Sequence, residues 1–352
     1  MKKNEKNGVR KATRAAFLRM AKVAAILALV PIPVARGAVV PAITDITKSG
    51  DDVVLVWDAF GDGQYTVQHT DDLRGAWQPV PGTAWPVTAS SWTHVGVLSS
   101  TAMGFYRVES GGVYTDPVGF VTVEAVRDGL TMISVLLLWD PPAAPLDNML
   151  NGPIGDMIGE NLSGGTGGMT GAAIWRWNPL VQNYNETAFL IDGWPPHDGN
   201  WYDEWAGDFS AMTFDLGEGC WVRRTHWGPD MATIIFLGWV PTAGTIPLTL
   251  GKGLTMFNWP YPTRLALNDS SLRGVGHGGA SPTGADIVRK WDPVAKTYKM
   301  AFLVDLPGHA FHGKWFDPDA GNLSDIEFIP GTAMWYDRKP DDAAVWVCTR
   351  PY

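Results

Sequence analysis

Apolar and polar residues alternate with a period of two along most of the chain, in short runs parted by Gly, Pro, Asp and Asn. "DVVLVWDAF", "GQYTVQHTDDL", "AWQPV" and "MGFYRVES" are the first such runs, within residues 41–110. A two-residue period is that of a strand with one buried face, and the punctuating residues are those that reverse a chain. The first unit is therefore expected to be a small antiparallel β-sandwich, with Trp57 and Tyr65 as core aromatics facing each other. Residues 111–117 follow with the Gly and turn composition of a linker.

From residue 118 the pattern repeats itself over about 110 residues. Gly-Leu-Thr-Met occurs at 129–132 and again at 253–256. Gly-rich loops come next, then the hairpins "IWRWNPLVQNYN" and "VRKWDPVAKTYK", then "AFLID" and "AFLVD". Residues 199–224 and 313–338 align without a gap. They match Trp201 with Trp315, Asp203 with Asp317, Gly207 with Gly321, Ser210 with Ser324 and Phe214 with Phe328. Further along, Gly217 meets Gly331, Trp221 meets Trp335 and Arg224 meets Arg338. One long period with two copies is a duplicated domain rather than a solenoid.

The expected fold is all-β: a small N-terminal β-sandwich, then two tandem duplicated sandwich- or barrel-like domains at 118–242 and 243–352. Gly217 and Gly331 precede strands and are expected at positive φ. The matched Trp and Phe fall on alternating positions of apolar strands, where core packing is their first role. Arg224 and Arg338 end those strands, within reach of acidic loops.

The N-terminus departs from this pattern. Eight of the first 22 residues are Lys or Arg, and an uncharged run, "VAAILALVPIPVA", leads to Ala35-Arg36-Gly37. A basic start, an apolar stretch too short to span a bilayer and a small-x-small exit are the marks of a secretory signal, assigned here to residues 1–37. Removing it would leave 18 basic against 35 acidic side chains, a net charge of −17. So negative a surface disfavours nucleic acid and anionic lipid, and no later segment reads as a membrane span. The expected location is extracellular or at the envelope surface. In that oxidising setting Cys220 and Cys348 are a candidate disulfide, with two buried free thiols as the alternative.

The strand pattern of residues 41–110, through "VVLVWDA", "YTVQHTDDL" and "FYRV", resembles a fibronectin type III-like module. The duplicated region, through "IWRWNP", "LGEGCWVRR" and "FLGWVP" and their second-copy counterparts, resembles uncharacterised secreted two-repeat β-rich proteins of the Verrucomicrobia and Planctomycetes type. The resemblance implies an exported, envelope-associated all-β protein and carries over no catalytic residue.

Candidate chemistry is sparse. Asp317, Asp319, Asn322 and Asp325 in "DPDAGNLSD" offer hard oxygen ligands around Gly321, which makes calcium the one candidate cofactor. His309 and His312 stand three apart with no third ligand at zinc spacing. Neither a nucleophile elbow nor a phosphate loop occurs. There are 18 Trp, half or more of them expected in the cores, and "DGWPPHDGNWYDEW" crowds Trp194, Trp201, Tyr202 and Trp205 into one loop-like stretch. Exposed rings of that kind stack on sugar faces; the alternative is a Trp-lined contact between the repeats. The expected role is non-catalytic, structural or adhesive, through self-association or contact with other surface proteins. Polysaccharide binding by the 194–205 loop is the alternative, and a secreted hydrolase stands third.

Overall fold

Each alternating run becomes a strand with its apolar positions inward. In Asp52–Trp57, Val53, Leu55 and Trp57 are buried and the residues between them are not. Trp57 meets Tyr65 edge to face at 5.6 Å, as the pattern predicts. The computed structural model describes residues 41–139, 149–226 and 228–352, so the signal-like segment 1–37 lies outside the described residues. The fold is all-β, and its sheets are built from antiparallel pairs. The one α-helix among the described residues, Pro153–Gly159, is too short for a helical period to stand out in the sequence. Pro at its start presets φ, and Ile154, Met157 and Ile158 bury one side.

The duplication is visible as identical strand order. In the first repeat the sheet runs Leu130–Ser134, Gly219–Arg223, Ala173–Asn178, Asn183–Leu190, Trp201–Asp203, Asp208–Phe209. In the second it runs Gly253–Phe257, Met334–Arg338, Ile287–Asp292, Thr297–Leu303, Trp315–Asp317, Asn322–Leu323. A second layer closes each core. In the second repeat this layer is the two-stranded pair Thr245–Leu250 and Ala344–Thr349. In the first it is the equivalent pair, Val118–Val126 and Met231–Trp239.

That first-repeat pair does not stand alone. Val118–Val126 also pairs with Met103–Ser110, so the sheet continues through Thr66–Thr70 into the N-terminal module. The segment 111–117, expected to be a linker, contributes one short strand to that sheet. Val113–Tyr114 pairs with Met103–Ser110, and the buried Thr115 accepts the Val108 N–H on its Oγ1 at 3.0 Å. The shared sheet buries both faces. Val118, Phe120, Ile235 and Leu237 point into the N-terminal core, while Val121, Val123, Ile234 and Phe236 point into the core of the first repeat.

The two repeats meet at a seam with reciprocal contacts. Trp177 Nε1 donates to the Leu254 carbonyl at 2.8 Å, and its counterpart Trp291 Nε1 donates to the Leu130 carbonyl at 2.8 Å. Trp177 packs edge to face on Trp335 at 5.3 Å, and Trp291 does the same on Trp221 at 5.7 Å. Asn258 N–H bonds the Gly217 carbonyl, and Ser134 N–H bonds that of Gly331. Pairs matched in this way define a pseudo-two-fold relation. Tryptophan suits it because an edge-to-face pair adds about 1 kcal/mol beyond area burial, and the indole N–H ties its ring to a backbone carbonyl.

Candidate functional site

The matched residues are spent on the scaffold. Trp201 and Trp315 are buried in the two repeat cores, with Phe214 and Phe328 alongside. Trp221 and Trp335 pack in the seam, a third place that alternation alone does not single out. Asp203 Oδ1 accepts the N–H groups of Trp205 and Ala206, and Asp317 Oδ1 accepts those of Asp319 and Ala320, so each carboxylate closes its own turn. Ser210 and Ser324 accept the N–H two residues on. Gly217 and Gly331 have φ of 79° and 82°, the positive values expected of them.

Arg338 is buried against Asp286 at 3.4 Å and Asp342 at 3.2 Å, while the buried Arg224 gives its fork to the carbonyls of Ala125 and Pro229. A matched pair missed in the sequence is Asn151 and Asn268. Each amide bonds three backbone groups, around Trp201 and Ser210 in one repeat and Trp315 and Ser324 in the other. The segments preceding these Asn differ too much in length and composition to align by eye.

Three of the four calcium candidates are otherwise engaged, and Asp319 gives only its backbone N–H, to Asp317. Asp317 is buried in its turn, Asn322 accepts the Leu323 N–H, and Asp325 is ion-paired with Lys299. Among the described residues no three His, Cys, Asp or Glu side chains converge on a point that could hold a metal. The candidate disulfide is absent: Cys220 and Cys348 are free thiols in the separate cores of the two repeats. Burial pushes both thiols well above the usual cysteine range.

The 194–205 cluster divides. Trp201, expected as a ligand-binding ring, is 1% exposed and its Nε1 donates to the Gly155 carbonyl at 3.1 Å, so it is a core residue. Trp205 is 89% exposed and Trp194 47% exposed. Tyr202 is half-buried, between Trp194 at 5.6 Å and Phe189 at 5.7 Å, with the exposed Phe209 at 6.3 Å. The result is a patch of rings on the outer edge of the first-repeat sheet.

Trp205 and Tyr202 of this patch line the first of two adjoining recesses. One, of about 210 Å³, lies between Trp205, Tyr202, Glu204, Trp175 and Arg223. The other, of about 480 Å³, lies at the seam, between Trp175, Arg223, Thr225, Trp291 and Lys296. They share Met169, Trp175 and Arg223 in their walls and so adjoin, as the two compartments of a groove. Arg223 lies over the Trp175 ring at 5.8 Å, held by the carbonyls of Gly168 and Gly171. Burial lowers the affinity of its guanidinium for a proton, and the Glu204 carboxylate acts in the opposite sense. It stays charged at neutral pH.

Trp175, Arg223 and Met169 were not legible as site residues. The signal available was divergence between the copies: in the gapless alignments Trp175 faces Arg289, Arg223 faces Asp337 and Trp205 faces Asp319. Where the repeats agree, most residues build the fold; the groove combines such residues, Trp291 and Arg224, with ones at which the copies disagree. None of the protein-family models matches the chain, and no curated protein matches its sequence.

Proposed function

We propose that the chain is an exported, non-catalytic contact protein, adhesive or structural at the cell exterior, whose first-repeat aromatic groove takes carbohydrate. Trp205 carries this reading. It sits in a turn that the second repeat builds equally well with Asp319, so its indole has no folding role, and it is 89% exposed. Covering one indole face removes on the order of 100 Å² of apolar surface from water, about 2–3 kcal/mol. The C–H face of a pyranose fits that need, and the flanking Glu204 and Arg223 supply polar edges for its hydroxyls. Export rests on the basic and then apolar N-terminus and on the resemblance to secreted two-repeat proteins. Among the described residues no helix is long and apolar enough to cross a membrane.

Trp205→Ala should abolish retention of the mature protein in affinity gels cast with a panel of polysaccharides. Its melting temperature should stay within about a degree of the parent, because the ring supports nothing. Retention unchanged by the substitution, or absent from the parent across the panel, would remove the proposal.

A further inference from the structure

The duplication supplies an internal control for the seam end of the groove. At the pseudo-symmetric position in the other half, Gln182 stands where Lys296 stands, in the same left-handed turn conformation, with φ of 53° against 52°. Gln182 closes that end. Its Nε2 donates to the carbonyls of Pro179, Lys252 and Leu254, and its Oε1 accepts the Leu254 N–H. Beside it, Arg289 is ion-paired with Asp337 at 3.1 Å. That half of the seam is filled, and its arginine has a carboxylate partner, which it shares with Lys339 at 2.9 Å.

The first-repeat end is neither. Lys296 is exposed and makes no hydrogen bond or ion pair among the described residues. Arg223 has no carboxylate partner there, and its Nε is buried without an acceptor. The buried Thr225 also has an unpartnered Oγ1. Arg224 lines the recess but is consumed by backbone carbonyls, and Asp128 is the acid in the wall. Two cations without an ion pair and an unpartnered hydroxyl thus line a recess walled by two indoles, with Glu204 acting on Arg223 only from the adjoining recess, on a chain whose net charge is −9. An unpaired, partly desolvated guanidinium is costly unless an anion meets it.

We propose that the seam recess binds the carboxylate of an acidic sugar, with Arg223 and Lys296 meeting the charge and Trp175 and Trp291 flanking the ring. This rests on the carbohydrate reading of the groove and names its ligand class as uronic acid-containing glycan. Charge complementarity selects it over a neutral sugar. The negative chain as a whole selects against a dense polyanion such as nucleic acid, whereas a short uronide feels mainly the recess, since exposed charges are screened beyond about 8 Å at physiological ionic strength.

The test is a tryptophan-fluorescence titration of the full mature protein. The probes are trisaccharides of galacturonic, glucuronic and mannuronic acid, their methyl esters, which share the skeleton without the charge, and an oligothymidylate. At least one uronide should bind about five-fold or more tighter than its ester, a ratio that falls as salt is added. Lys296→Gln, which installs the residue already accepted at position 182 and so preserves the fold, should reduce that ratio about three-fold or more. Equal affinity for acid and ester, or a ratio indifferent to Lys296→Gln, overturns the inference while leaving the carbohydrate reading intact. Tighter binding of the oligothymidylate also overturns it. Binding of no saccharide, acid or ester, removes both.

Discussion

Trp201 and Trp315 occupy the same place in their repeats, yet only Trp201 has an acceptor for its indole N–H. The short helix Pro153–Gly159 brings the Gly155 carbonyl to it, whereas Trp315 Nε1 is buried with no partner. The second repeat has two 3₁₀ turns, Leu267–Asp269 and Ser271–Gly274, in place of that helix. A Phe substitution removes similar apolar contact at both sites but breaks a hydrogen bond at only one. Trp201→Phe should therefore cost about 1–2 kcal/mol more than Trp315→Phe in urea unfolding. Equal costs would mean that the helix does not support the ring. Asp203 and Asp317 carry the same lesson. A carboxylate beside a glycine invites a metal reading, but when its oxygen accepts two N–H groups of its own turn, the turn is the reason for the acid.

At the scale of elements, alternation and turn residues were enough to predict the strands, and the repeat period was enough to predict that they come twice. What they could not predict is which sheet a strand joins. "GFVTVEAV" reads as the opening of the first repeat, and it does close that core, but its other edge pairs with Met103–Ser110. Its near-continuous apolar run, buried on both faces, was the available sign of a strand shared between two layers. The second copy, Thr245–Leu250, alternates instead because one of its faces is open to solvent. The shared strand has a consequence for dissection. A fragment beginning at residue 118 exposes Val118, Phe120, Ile235 and Leu237 together with an unpaired edge, and should aggregate on expression. A soluble, cooperatively folding 118–352 fragment would show that 111–117 is a true domain boundary.

Across the whole molecule, duplication separates two kinds of tryptophan. Matched ones fill the cores and the seam: Trp201, Trp315, Trp177, Trp291, Trp221 and Trp335. Those without a tryptophan counterpart at the groove, Trp175 and Trp205, lie at its wall and rim. The cluster of aromatics in the 194–205 stretch was legible in the sequence, but its division was not, because one turn of backbone sends Trp201 inward and Trp205 into solvent. The direct test is an indole ¹⁵N–¹H correlation spectrum of the protein, titrated with the same uronic acid trisaccharides. The resonances of Trp205, Trp175 and Trp291, which line the groove, should move with ligand, and those of Trp201, Trp315, Trp221 and Trp335 should stay in place. Shifts confined to Trp201, Trp315, Trp221 and Trp335, or no shifts with any sugar, would contradict the division between residues that build the fold and residues that bind.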